Sequence, residues 1–261
     1  GSGTATVTQV NSYNTAAGSG SVSASVTDIA SQTATLTTGA GDAIEVDVSN
    51  DSSATDAADL NLTNGNTDTV VDAGAVTSIL GSPGALVTLE AAATLETPTI
   101  TLDSEVDIEI SDDASVDLIN DLAALTDGDI TATAEASKIA NFSALSTSNS
   151  DAISISLDDT SIAATDLYSN VNGDRGLVTK TSEVVNATSV SEVTGTVAEL
   201  LTLINKHSAE FSLDTSSVKL TVEAGQTEDG KETATALNIK SLTDFTDGLV
   251  DATVIEVVKG V

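Results

Sequence analysis

Apolar and polar residues alternate over AIEVDVS (43–49). Ile44, Val46 and Val48 fall on one face and Glu45 and Asp47 on the other, the period of a half-buried strand. The same alternation marks TVV (69–71), TITLDSEVDIEI (99–110, with a turn near Asp103-Ser104), DITAT (129–133), AISISL (152–157) and LVDATVIEVV (249–258). FSLDTSSVKLTVEA (211–224) reads as a hairpin turning at Asp214–Ser217.

Helical spacing fills the gaps. It marks ATDAADL (54–60), AGAVTSILG (73–81, with Gly81 placed to end it), SIAATDLYSNV (161–171) and ETATALNIKSLTDF (232–245). In SVDLINDLAAL (115–125) Leu118, Leu122 and Leu125 share a face, and EASKIANFSAL (135–145) runs through Ile139, Phe142 and Leu145. TVAELLTLINKH (196–207) carries the clearest helix signal. Thr196 and Glu199 have capping-box spacing, and Val197, Leu200, Leu201 and Ile204 form the apolar stripe. Lys206 and His207 close it where positive charge suits the helix dipole.

Strand starts fall near 43, 69, 86, 106, 129 and 152, so the repeat is roughly 18–25 residues. Units this short cannot bury their own apolar face, and stacking would give them one continuous core. The expectation is an α/β or mainly β fold, a repetitive solenoid-like stack of short strands and short helices. An all-β sandwich or irregular β-helix stays open as the alternative. Residues 1–41, rich in Gly, Ser and Thr, read as a strand-like segment with Thr4–Val7 and Ser21–Val26 around a Gly-Ser break at 17–20. Residues 42–261 read as the repetitive domain, a piece of a longer protein.

Composition narrows the environment. Eight Lys+Arg against 40 Asp+Glu give a net charge of −32, and no cation precedes Lys138. That field repels nucleic acid and anionic membrane surfaces and attracts divalent cations. It suits salty or calcium-rich water, where self-repulsion is screened. Hydrophobic residues make up 40% of the chain and fall in periodic runs, which argues against disorder. Cys is absent, so thiol, disulfide and zinc-thiolate chemistry are excluded. No apolar run reaches the length of a transmembrane helix.

Candidate chemistry is carried by carboxylates. Asp103, Glu105, Asp107 and Glu109 alternate with Val106, Ile108 and Ile110, and Glu45 and Asp47 would join them in a column if the segments stack. Calcium takes six to eight oxygens, so stacked carboxylates could supply its ligands. The candidate calcium positions are Asp107, Glu109, Asp112, Asp113, Asp127, Asp129, Asp158 and Asp159. The plainer reading makes the strand acids a solvated face and the Asp/Ser corners at 50–53, 111–115 and 157–161 helix caps. No EF-hand loop, GxSxG or phosphate loop is present, and the single His gives triad chemistry little to work with. TDGDITAT (126–133) and TDGLVDAT (246–253) read as a repeated corner. In it Gly128 and Gly248 would sit at a helix end or a turn needing positive φ.

SDDASVDLINDLAALTDGDITATAEASKI (111–139) and TSVSEVTGTVAELLTLIN (188–205) resemble degenerate repeats of large bacterial, cyanobacterial-type cell-surface and S-layer-like proteins. That resemblance implies an extracellular structural role, self-association into a lattice or fibre, calcium assistance and no catalysis. Two other readings stay open. One is an adhesin or virus-fibre module recognising a host surface. The other is a polysaccharide-active β-helix enzyme, whose groove would draw charge from Arg175, Lys180 and the C-terminal lysines.

Overall fold

Alternation becomes strand wherever one face can be buried while the other stays wet. The computed structural model describes residues 4–39, 41–168, 176–225, 227–228 and 231–260. Arg175 and the stretch 169–171 of the expected helix lie outside the described residues. The chain is a mixed α/β protein with several mostly parallel sheets and short helices. It divides into two compact units, Gly1–Thr133 and Ala134–Val261.

The first unit opens with α1 (Val7–Ala17), β1 (Ser23–Ile29), α2 (Ala30–Thr33) and β2 (Ala43–Ser49). It continues through β3 (Thr55–Asp56), α3 (Ala57–Gly65), β4 (Val71–Ala73), β5 (Ser78–Gly81) and α4 (Pro83–Thr94), then β6 (Ile100–Leu102), β7 (Asp107–Ala114), α5 (Val116–Leu125) and β8 (Ile130–Ala134). One sheet has the order β1-β2-β4-β6 and the other includes β3-β5-β7-β8. The pairing is parallel throughout the first: Val26 sits beside Val46, Val46 beside Val71, and Val71 beside Ile100. In the second, Ile79 pairs with Ile108. These inward positions are buried, and the alternation expected for β2 is observed residue by residue.

The second unit runs through α6 (Ile139–Phe142), β9 (Ala152–Ser154), β10 (Ser161–Ala163), α7 (Ala164–Tyr168), β11 (Val185–Asn186), β12 (Glu192–Gly195) and α8 (Val197–Thr202). A π-helical turn over Leu203–His207 follows. Next come β13 (Phe211–Ser212), β14 (Lys219–Val222), β15 (Thr227–Glu228), β16 (Lys231–Thr235), α9 (Ala236–Phe245), β17 (Val250–Asp251) and β18 (Val257–Lys259). Parallel sheets β10-β12-β14-β17 and β11-β13 form beside β15-β16-β18, in which β15 and β16 alone are antiparallel.

Several expectations change. The first residues hold a helix, not a strand: Thr6 and Gln9 close a capping box that starts α1. The helix expected at 73–81 is strand β5, and Gly81 lies inside it, where a Cβ would stand 2.8 Å from the Ala57 Cβ. The strand expected near 86 is α4, begun by Ser82 as cap and Pro83 in the first turn. The 211–224 hairpin does not form, because β13 pairs in parallel with β11 and β14 with β12. The Asp214 carboxylate does make the turn, accepting from Ser216 N and from the Ser216 and Ser217 hydroxyls, but the turn passes the chain from one sheet to another. The stripe of 196–207 also shifts: the π-helical turn buries Leu203 and leaves Leu201 and Ile204 half-buried.

Candidate functional site

A threonine corner recurs four times, at Thr67, Thr126, Thr181 and Thr246, each buried. The hydroxyls lie 2.7 Å from the carbonyl oxygens of Ile44, Val106, Ile153 and Val218 respectively. Each also accepts the N–H two residues on, from Thr69 (3.2 Å), Gly128, Glu183 and Gly248 (2.9 Å each). The intervening N–H, of Asp68, Asp127, Ser182 or Asp247, bonds back to the preceding segment. One side chain thus satisfies both a carbonyl and an amide that helix-to-strand passage would otherwise strand in the core. Gly128 and Gly248 are there for space. Positive φ is found at Gly18 and Gly41, not at these two. A Cβ would stand 2.7 Å from the Glu105 oxygen at Gly128 and 2.8 Å from the Ser217 oxygen at Gly248.

Sequence reasoning found two of these corners through Thr-Asp-Gly and missed the other two, which lack the glycine. It also missed TGAGD (38–42) and TSNSD (147–151). There the buried carboxylates of Asp42 and Asp151 accept N–H groups of Gly39 (3.1 Å) and Ser148 (2.7 Å).

The candidate calcium residues are spread along the surface. Asp107 and Asp129 do meet: an Asp107 carboxylate oxygen accepts the Asp129 N–H at 2.9 Å. Glu109 is exposed on β7, in register with Leu80. Asp112 accepts the Ser111 hydroxyl at 3.0 Å, and Asp113 is exposed beside it. Asp127 is exposed at its corner. Asp158 is exposed, whereas Asp159 accepts the Ile139 N–H at 2.6 Å at the start of α6. The expected column of Glu45 and Asp47 with Asp107 and Glu109 does not form. β2 and β7 belong to different sheets, and the register neighbour of Asp47 is Asp72. Of the three Asp/Ser corners, 111–115 caps a helix directly, through Ser115 on α5, while α3 is capped by Asp56.

Three further carboxylates, Asp51, Asp56 and Asp59, line a cavity of about 140 Å³ with Ser31, Ser53 and Thr55. Burial and the Asp56 charge push the Asp59 carboxyl above its ordinary range. The buried Thr55 hydroxyl has no hydrogen-bond partner. Among the described residues no three His, Cys, Asp or Glu side chains come close enough to hold one metal ion.

Two polar clusters in the second unit were not anticipated. Lys219 stands 3.0 Å from Glu192 and 3.4 Å from Asp251, and Ser161 and Thr221 donate to the same Glu192 carboxylate. The Thr221 and Lys219 hydrogen bonds hold the Glu192 carboxyl below its ordinary range, while Glu192 raises Lys219. Thr253, then Lys219, lowers Asp251. The His207 Nδ1 lies 2.7 Å from Glu210 Oε2, and its ring stacks on Tyr168 with centroids 5.1 Å apart at 4°. The tyrosine presents its face, not its hydroxyl, to the imidazole, so this is a packed ring pair held at a helix end. Burial and the Glu199 charge push the Tyr168 hydroxyl up, against an opposing bond with Thr202.

No family description matches the sequence, no curated protein matches it, and no solved structure matches the chain.

Proposed function

We propose that this chain is a non-catalytic structural module of an extracellular assembly, a surface layer, filament or fibre, built as a solenoid-like stack of strand–helix segments. The observation that supports this most is the fourfold recurrence of the threonine corner at one hydrogen-bond length, 2.7 Å, across both units. Repetition of that kind spends the sequence on joining one segment to the next. The chemistry is distributed in the same way. Carboxylates stand singly or in register pairs along exposed strand faces, as Asp47 and Asp72 do, and serve solubility and ion bridging.

Calcium enters as a bridge between acidic faces of neighbouring copies, where the −32 charge otherwise opposes contact. Thermal unfolding in millimolar calcium and in EDTA tests this directly. A higher melting temperature in calcium, absent with an equal ionic strength of sodium, is the expected result. An unchanged midpoint removes the bridging role.

A further inference from the structure

We propose that the carboxylate-lined cavity bounded by α2, β3 and the first turn of α3 binds a primary alkylammonium group, from a free amine or from a lysine of another polypeptide. This goes beyond the assembly reading above and does not depend on it. The second unit shows which features of this corner the fold requires. Ala57 opens α3 and Ala164 opens α7; both are buried, and a Cβ on Gly81 or Gly195 would meet them at 2.8 and 3.4 Å respectively. The preceding strands match as well, Thr55 standing beside Ile79 and Ile162 beside Val193. Thr55 therefore corresponds to Ile162, Asp56 to Ala163 and Asp59 to Asp166. The four-residue helices α2 and α6 correspond in the same way. Each leads to a buried leucine (Leu36, Leu145), then a buried threonine (Thr38, Thr147) and a buried aspartate (Asp42, Asp151), which sets Ser31 against Ala140.

The second unit thus builds this corner with Ile162, Ala163 and Ala140, where the first has Thr55, Asp56 and Ser31. The fold does not demand the polar groups. Thr55 is the sharpest departure. It lines the cavity, it is 4% exposed, and its hydroxyl has no hydrogen-bond partner. A buried, unpaired hydroxyl is a cost that Ile162 avoids and that a ligand's N–H would recover.

The lining selects the ligand class. Asp51, Asp56 and Asp59 surround about 140 Å³, yet among the described residues no three such side chains converge on one metal ion. An ammonium suits separated acceptors, because it carries three N–H donors pointing apart. Its alkyl stem has Ala30 and Ala54 to lie against. The first unit has no lysine or arginine of its own to supply that charge. The second unit does: where Glu192, Asp251 and Thr221 gather, the Lys219 ammonium stands among them. Burial and the Asp56 charge hold the Asp59 carboxyl above its ordinary range, so amine binding should tighten as pH rises and that carboxyl ionises.

The test is calorimetry of the full chain with n-butylammonium in sodium chloride at physiological ionic strength, read together with NMR of the Thr55 methyl group. Saturable one-site binding that shifts this methyl is expected, with n-butanol inert. Asp59→Asn should weaken binding at least about tenfold. Asp166→Asn, at the corresponding place in the second unit, should leave it unchanged. Thr55→Ile installs the residue the second unit carries, so it should fold and bind severalfold more weakly; it decides the matter should Asp59→Asn unfold. Putrescine and a lysine tripeptide blocked at both ends, titrated in parallel, separate the two sources, the tighter binder naming the one the cavity fits. Absence of saturable binding, equal binding of n-butanol, binding that survives both substitutions, or calcium binding at this site without amine binding overturns the proposal.

Discussion

The Thr126 hydroxyl lies 2.7 Å from the carbonyl oxygen of Val106, and it is buried there while also accepting the Gly128 N–H. Thr126→Val keeps the volume and removes both bonds, leaving a carbonyl and an amide unpaired in the core. The expected cost is about 1–3 kcal/mol. Thr126→Ser should retain most of the stability, since it keeps the oxygen. Urea unfolding of the three proteins checks this, and Thr246→Val should behave alike in the second unit. Equal midpoints for wild type and Thr126→Val would show that the corner contributes nothing.

Glycines at two places should respond with opposite sign. Gly128→Ala drives a Cβ toward the backbone oxygens of Glu105 and Val106, neither of which can rotate away. Gly84, inside α4, has open space around its missing Cβ. Gly84→Ala should stabilise by roughly 0.5–1 kcal/mol, the ordinary gain of alanine over glycine in a helix. Thermal melts of the two variants should bracket the wild-type midpoint.

Burial on the strands should sort substitutions by face. Ile108→Ala removes a buried side chain beside Ile79 and should cost about 2–5 kcal/mol. Glu109→Gln, one residue along on the exposed face, should change stability by no more than about 0.5 kcal/mol. Denaturant titration at fixed ionic strength separates them.

Lys219 links Glu192 and Asp251, and the pH dependence follows from the direction of each shift. The two carboxyls titrate lower in the folded chain than unfolded. Their contribution is therefore present above the ordinary carboxylate range, about pH 4, and is lost as pH falls through the depressed values. Lys219 titrates higher when folded, so its share is present below about pH 10 and is lost as pH rises past its raised value. Asp59 and Asp166 are raised and act in the opposite sense on the acid side. The difference between wild type and Lys219→Met isolates the cluster. It should be largest near neutrality and shrink toward pH 3; a difference independent of pH would contradict the assignment.

Strands were legible in the sequence where one face is fully buried and the other charged, as in 43–49, and helices where a cap precedes an aliphatic stripe, as at Ser115 and Thr196. The errors share a cause. Thr, Ser and Ala carry little preference, so 73–81 could be read at helical spacing although Ile79 and Gly81 sit on a strand's inner face. Pairing partners were not legible either. Parallel neighbours lie 20–31 residues apart, as between Ser23 and Ala43 or Ser161 and Glu192, and nothing local at 211–224 distinguishes a hairpin from two strands in different sheets. The carboxylates were visible as a population. Which of them meet depends on register, which placed Asp107 beside Asp129 and kept both away from Asp47.

Electron microscopy of the purified chain with calcium and with EDTA tests the central claim most directly. The account predicts ordered sheets or fibres in calcium that return to small, uniform particles in EDTA. Dispersed particles of one size in both conditions would contradict it.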